Sequence, residues 1–379
     1  MTLKRFLYIL GILAVLLGLY GFAVRLFVGD RDVNYGSYVP WGLWVAMYLF
    51  FAGIATGSFM MATLDYLFNV KLFKGTGKYA LWGAMVTMPV ALISIGFDLG
   101  HMERIWKVYL QPNFNSLLAQ LVWGYSIFTL IVIVALVLAA RKPDSRGMKA
   151  VMVVGLFLAV FLSGGVGALL GVNASRPGWH NGMLPAQFPV FSLTSGVALM
   201  MIAIGWFMPN SERRGQQLRL LSSTMLVLLL VKAYYLWTDF SLALYSGVPD
   251  AAEAVNLILF GQYSWAFWGL QVFLGMIVPL VTLVQPKLAR DGFWVGLMGV
   301  FVLVGFAVAR SNIIFPALAI PELKGLTTAF TGPHLSFDYT PSLMEWSVTL
   351  GVVGLATLAF LIGTDRLPLF TKQTKTEAV

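Results

Sequence analysis

The sequence contains no cysteine among its 379 residues. This absence excludes disulfides, cysteine-ligated iron–sulfur clusters and zinc–thiolate sites from the chain. Histidine is also scarce, with His101, His180 and His334 as the three present. None of them lies in the middle of a long apolar run, so the chain lacks the paired axial ligands that a haem within the membrane needs. We therefore expect no haem, no iron–sulfur cluster and no other metal site in this chain.

Charged residues are the second shortage. They form 11% of the chain, whereas 59% of it is hydrophobic. Soluble globular proteins are about 25% charged, so the composition predicts a protein that crosses the lipid bilayer several times. The net charge of +9 is explained by the positive residues that collect in the cytoplasmic loops of such proteins. It does not indicate nucleic-acid binding.

Ten apolar runs are long enough to cross a membrane, because a hydrocarbon core of about 30 Å needs roughly 20 residues of helix. We therefore predict an all-α, polytopic membrane protein with ten transmembrane helices. The predicted helices are Phe6–Phe27, Val39–Phe68, Tyr79–Leu99, Leu117–Ala140, Ala150–Gly171, Phe188–Met208, Leu218–Leu236, Tyr263–Val284, Gly292–Ala309 and Leu343–Ile362.

The distribution of positive charge predicts the orientation. Most of the 25 lysines and arginines lie before the first helix or after an even-numbered one. Because positive residues are retained on the cytoplasmic side, both termini are expected in the cytoplasm. The loops on the opposite side are longer and rich in aromatic residues, proline and asparagine, and the histidines lie in or beside them. We expect a docking face and a reaction site on that outer side.

Three pairs of matching positions indicate a faint internal repeat, although matches this short also arise by chance. The pairs are Thr56-Gly57 with Ser195-Gly196, Trp123-Gly124 with Trp268-Gly269, and Asp98 with Asp239 at the ends of predicted helices three and seven. Four helices per unit predict two four-helix bundles, helices two to five and six to nine, related by an axis along the membrane normal. Helices one and ten would flank them.

The expected segments follow from this repeat. They are 1–38 for an anchor helix, 39–171 for the first bundle, 172–290 for helices six to eight, and 291–379 for helices nine and ten with a cytoplasmic tail.

Ionisable side chains gather in the stretch DLGHMERIWKVYLQPNFNS, which runs from Asp98 to Ser116. Asp98 and His101 are three residues apart and share a face if the helix continues. An aspartate accepts hydrogen bonds, and a histidine donates, accepts or titrates near neutral pH. With Arg104 one turn further, this set suits the oxygens and protons of a quinone or quinol. The alternatives are a solvated loop or a salt bridge at the helix end.

Other polar residues offer a functional and a structural interpretation of comparable weight. Arg176 and His180, in the loop before helix six, either contribute to a binding site or belong to an interfacial belt. Lys232 lies well inside helix seven, where an intramembrane cation is a functional candidate. It would carry protons or bind a ligand, or else pair with Asp239 or Glu345. Glu345 also suits the N-terminus of helix ten.

Four segments, taken in order, resemble the NrfD/PsrC family, whose members are quinone-reactive membrane subunits of respiratory complexes. They are PWGLWVAMYLFFAGIATGSF from Pro40, DLGHMER from Asp98, FNS from Phe114, and SRPGWHNGMLP from Ser175. The first and last helices, with PSLMEW from Pro341, are most similar to the ten-helix branch that includes the Hyb-type hydrogenase subunit.

This resemblance implies a quinone, often menaquinone, bound near the face that receives a ferredoxin-like iron–sulfur subunit. It also implies a catalytic subunit, which would be a hydrogenase, a molybdopterin enzyme, a sulfur-cycle enzyme or a multihaem cytochrome c. The location would be a bacterial or archaeal cytoplasmic membrane. The family's polar positions are matched by Asp98, His101, Arg104 and Arg176.

Our hypothesis is a subunit without catalysis of its own that exchanges electrons and protons between the quinone pool and this partner. Asp98 and His101 would bind or protonate the quinone. Quinone binding would also involve Arg104, Arg176 and His180, and the proton path would involve Lys232, Asp239 and Glu345. The alternatives are an ion or solute transporter and a passive anchor without a quinone site.

Overall fold

The computed structural model describes residues 3–323, 325–330 and 332–367, which fold into helices without any strand. Ten of these helices are long and apolar enough to span a membrane, which confirms the predicted fold class. We number them α1 Leu3–Phe27, α2 Leu43–Tyr66, α3 Gly77–Asp98, α4 Leu117–Arg141, α5 Arg146–Gly171, α6 Leu184–Phe207, α7 Glu212–Tyr245, α8 Ala266–Leu283, α9 Gly292–Ala319 and α10 Leu343–Arg366.

The largest differences from the sequence prediction are in α7 and α9. The sequence predicts that Asp239 and Arg310 end these helices, because each polar residue follows an apolar run. The prediction was wrong, since α7 continues to Tyr245 and α9 continues to Ala319. Both side chains point into the protein, where Arg310 is 2% exposed and Asp239 is held by two amides.

The helix contacts form two rings of four helices, which meet where α2 packs on α6. Helices α2, α3, α4 and α5 each contact the next, and α5 contacts α2; helices α6 to α9 do the same. Helix α2 packs on α6 between the rings and is the most buried span, while α1 packs on α10 and α10 packs on α3. The symmetry axis and the segment boundaries stay predictions.

The α2–α6 crossing is built from glycines. A Cβ placed on Gly57 would be 1.7 Å from the Ser192 carbonyl oxygen, and one placed on Gly196 would be 2.2 Å from the Gly57 carbonyl carbon. Small residues allow membrane helices to approach this closely, and van der Waals contact then holds them together. Thr56-Gly57 and Ser195-Gly196, one of the three pairs that suggested the repeat, therefore meet where α2 crosses α6.

Five loops, those after α1, α3, α5, α7 and α9, lie at one end of the helices. We call this end the long-loop face. The cytoplasmic location of both termini stays a prediction, and Lys372 and Lys375 of the expected tail lie outside the described residues.

Candidate functional site

The long-loop face holds a buried group of polar side chains, which we call the carboxyl cluster. Its members come from α1, the loop before α2, the end of α3, the loop before α10 and the start of α10. They are Arg25, Tyr35, Asp98, Tyr339 and Glu345.

Asp98 is the last residue of α3, because Leu99 adopts an extended conformation with φ −68° and ψ 125°. Arg25 of α1 caps this helix end by donating hydrogen bonds of 2.7 Å to the carbonyl oxygens of Phe97 and Leu99. The Oδ1 atom of Asp98 is buried and accepts no hydrogen bond from any described residue. A buried carboxylate oxygen without a donor is unfavourable, so this atom is ready to accept a bond from a ligand.

Glu345 is fully buried, and its carboxylate is saturated with donors. Its Oε2 accepts from the backbone N–H groups of Ser342 at 3.0 Å and Asn34 at 3.1 Å. Its Oε1 accepts from the Tyr339 hydroxyl and from the Leu43 N–H at 3.4 Å. Ser342 and Glu345 also form a capping box at the start of α10. Glu345 therefore ties α10 to the loop before α2.

Two tyrosines complete the carboxyl cluster. Burial and then the Glu345 carboxylate raise the pKa of Tyr339 well above its usual range, so its hydroxyl remains a donor. Burial and then the Asp98 carboxylate raise the pKa of Tyr35 in the same direction. The Tyr35 hydroxyl is buried and, within the described part of the chain, has no hydrogen-bond partner.

The charged groups that act on Asp98 are the Glu345 carboxylate and the Arg25 guanidinium. The cluster thus places an unpartnered acceptor and an unpartnered hydroxyl donor near each other, between charges of opposite sign. This arrangement suits a molecule that offers one hydroxyl or carbonyl oxygen and exchanges a proton.

His101 and Arg104 do not face Asp98, as a continuing helix would have required. The chain turns at Leu99, and the ring of His101 points outward, 65% exposed, and donates a 3.0 Å hydrogen bond to the Glu103 carboxylate. Arg104 is 59% exposed and lies 3.5 Å from the same carboxylate. His101 and Arg104 therefore do not lie together with Asp98, although their spacing in the sequence suggested it.

The loop before α6 is anchored across the molecule. The indole of Trp179 is buried, stacks on Trp41 with ring centroids 5.5 Å apart, and donates a 2.7 Å hydrogen bond to the Ile313 carbonyl. Arg176 forms a 2.9 Å ion pair with Glu322. His180 donates a 3.0 Å hydrogen bond to the carbonyl oxygen of Gly171.

A second polar site lies inside the ring of α6 to α9. It is a cavity of about 70 Å³, which we call the lysine cavity. Its polar lining residues are Gln187, Lys232, Asp239, Gln271 and Asn312. Lys232 pairs with neither Asp239 nor Glu345, and its ammonium group has no hydrogen-bond partner among the described residues. The predicted pairing was therefore wrong.

Sequence reasoning missed Arg25, Tyr35 and Tyr339 as members of the carboxyl cluster. Arg25 lies near the end of a long apolar run, which was the available signal, but such a position also fits an ordinary helix end. Tyr35 and Tyr339 lie in polar loops, where nothing in the sequence marks a tyrosine as buried.

Comparison with known proteins places these sites in context. A sequence profile described as "Polysulphide reductase, NrfD" matches residues 33–322. A selenate reductase subunit of Mesobacillus selenatarsenatis is 30% identical, over 98% of the chain and 96% of that protein. The Hdr-like menaquinol oxidoreductase integral membrane subunit of Archaeoglobus fulgidus is 25% identical, over 96% and 93%. The integral membrane subunit of menaquinone reductase from Nitratidesulfovibrio vulgaris is 22% identical, over 94% and 89%.

Proposed function

Because the chain belongs to the NrfD family, we propose that it is a membrane subunit of a respiratory redox complex that exchanges electrons and protons between menaquinone and an iron–sulfur partner. The relatives named for menaquinol and menaquinone support this choice of quinone. The chain would act as part of the complex and would have no catalysis of its own.

The observation that carries the proposal is the pair of buried, unpartnered atoms Asp98 Oδ1 and Tyr35 Oη. Oxidation of a quinol releases two electrons and two protons. Asp98 accepts a hydrogen bond and then one of these protons from a quinol hydroxyl, while Tyr35 donates a hydrogen bond to the same oxygen. The second proton leaves from the other quinol hydroxyl to water. A positioned acid–base group of this kind contributes about 100-fold or more to a proton-transfer rate.

The remaining residues of the carboxyl cluster set the conditions for this transfer. Arg25 and Glu345 place charges of opposite sign beside Asp98. An acid held between opposite charges is suited to taking up and then releasing a proton, which one turnover requires.

The electrons must leave to another protein, because the sequence holds no cysteine for a cluster of its own. We assign the receiving surface to the segment between α3 and α4 on the long-loop face. It carries the exposed His101 and Arg104 beside exposed apolar side chains, which are Ile105, Trp106, Leu110 and Phe114. A patch of mixed aromatic and cationic residues is typical of a protein interface. The partner would be a ferredoxin-like iron–sulfur protein that also contacts Arg176 and His180.

Proton movement beyond the carboxyl cluster is assigned to Lys232 and Asp239, which line the lysine cavity, together with Glu345. The complex would lie in a bacterial or archaeal cytoplasmic membrane with both termini inside. The catalytic subunit would be one of the redox enzyme classes that the sequence resemblance implies.

The proposal is tested by purifying the tagged chain from its own host and identifying what comes with it. We expect an iron–sulfur subunit and bound menaquinone, and we expect quinone content to fall in Asp98→Asn. An isolated chain that moves a solute would support a transporter instead. A complex that contains the iron–sulfur subunit but neither binds nor oxidises menaquinol would leave only the role of an anchor.

A further inference from the structure

The lysine cavity is lined by a lysine whose ammonium group has no hydrogen-bond partner among the described residues. Lys232 is 1% exposed, and its Nζ lies 3.8 Å from the centre of the Phe306 ring. Contact with an aromatic face compensates only part of the cost of burying an ammonium group. Arg310 is close enough for its charge to oppose that of Lys232. Its Nη1 is also buried without a partner in the described part of the chain.

The Asp239 carboxylate also lines the cavity, but it is already engaged by two amides. Asp239 accepts hydrogen bonds from Gln187 at 2.7 Å and Asn181 at 3.2 Å. It is seven residues from Lys232 on the same helix, which corresponds to about 10 Å along the axis. Asp239 therefore does not supply the acceptor that Lys232 lacks.

The cavity has a second donor near Lys232. Gln271 is buried, and its Oε1 accepts a 2.8 Å hydrogen bond from Asn312. This bond leaves the Nε2 group of Gln271 as a donor. Gln271 lies on the π-helical part of α8, Ala266–Ile277, and such widened turns often occur at functional sites. The donors around the cavity thus come from α7 and α8.

From this geometry we infer that the lysine cavity binds a small monovalent anion, of the size of chloride, between Lys232 and Gln271. The volume of about 70 Å³ exceeds the roughly 10–15 Å³ that a single water requires on this scale, so the cavity has room for an ion of this size. A tetrahedral oxyanion would need donors on four oxygens, and the lining residues do not offer them. The anion would give Lys232 its missing acceptor and offset the repulsion from Arg310.

This inference goes beyond the proposed function, because it requires neither a quinone nor a partner protein. It is compatible with a role of Lys232 in proton transfer, since a proton and an anion that enter the cavity together carry no net charge. Failure of one idea therefore does not decide the other.

Bromide is the probe for this site. The purified full-length chain, in nanodiscs and halide-free methanesulfonate buffer, is titrated with bromide at constant ionic strength while its thermal unfolding is followed. A ligand that binds the folded state raises the unfolding temperature in a saturable way. We expect this rise in the unmodified chain and in Lys107→Met, which removes an exposed lysine, and its complete loss in Lys232→Met.

The Asp239→Asn variant provides a second test, because removing the opposing carboxylate should lower the bromide concentration needed for half-saturation. Weaker binding in this variant would count against an anion, since a bound cation would be the species that the carboxylate helps. Anomalous diffraction from bromide-soaked crystals of the unmodified chain decides the matter without any variant. A bromide peak beside Lys232 supports the inference, and a cavity that contains water alone overturns it.

Discussion

Gly42 lies against the Glu345 carboxylate so closely that a Cβ placed on it would be 2.6 Å from Oε1. The same Cβ would be 2.7 Å from the Tyr339 hydroxyl oxygen and 2.7 Å from Cδ1 of Tyr35. Only glycine therefore allows α2 to begin this near the carboxyl cluster. The absence of a side chain at position 42 therefore allows Tyr35, Tyr339 and Glu345 to pack this closely.

We expect Gly42→Ala to push Tyr35 and Glu345 apart and to destabilise the protein by about 1–3 kcal/mol, as overpacking of a filled interior does. Menaquinol oxidation by the complex should fall with it. The control is Gly96→Ala in α3, where a Cβ meets no atom within 4 Å. Thermal unfolding and quinol oxidation are measured for both. Equal behaviour of the two variants would show that the contacts at Gly42 are unimportant.

Replacing Asp98 with asparagine keeps the shape of the side chain but removes the proton acceptor. We expect the turnover of the assembled complex with menaquinol to fall about 100-fold, within the range for loss of a general base. His101→Ala serves as the comparison, because His101 is exposed and separate from Asp98. Near-normal turnover in Asp98→Asn would remove the carboxyl cluster from the reaction, and loss of quinone binding in His101→Ala would restore the predicted role of that histidine.

Tyr35→Phe removes one hydroxyl and leaves the ring on Trp44, where the centroids are 5.8 Å apart. Loss of one hydrogen bond to the bound quinol should weaken its binding by up to about tenfold. Because burial raises the pKa of Tyr35, its hydroxyl remains protonated as the pH rises. Quinol binding measured between about pH 6 and about pH 10, the ordinary tyrosine pKa, should therefore show no loss from ionisation of Tyr35. A decline that disappears in Tyr35→Phe would contradict this.

Helix α1 is held by a glycine contact with α10. A Cβ on Gly18 would be 2.3 Å from the Cα of Gly351, so Gly18→Leu must separate the two helices. We expect Arg25 to leave the end of α3, with lower stability and faster proteolysis of the loop after α1. Gly269→Leu is the matched control, because a Cβ there meets nothing within 4 Å. Unchanged proteolysis in Gly18→Leu would argue against the tight α1–α10 contact.

The fold was predictable because each membrane helix needs a long apolar run, and this requirement is local. All ten helices followed from it. The ends of α7 and α9 were not predictable in this way, because the side chains of Asp239 and Arg310 contact neighbouring helices rather than solvent or lipid headgroups. Whether a polar residue ends a helix or points into the protein depends on contacts that are distant in the sequence.

The candidate site was predictable only in part, for the same reason. Asp98 was identified from its place beside a cluster of charges, but its neighbours Arg25 and Glu345 are 73 residues before and 247 residues after it in the numbering of the chain. A spacing of three residues suggested His101 instead, and the extended conformation of Leu99 prevented that pairing. Short-range spacing identifies neighbours only while the helix continues.

The family profile begins after α1 and ends before α10. Yet these two helices supply Arg25 and Glu345, the charged groups that act on Asp98 at the end of α3. A protein reduced to the eight helices between them would keep the aspartate and lose both of these charges. The outermost helices thus set the charge around this acid without altering the acid itself.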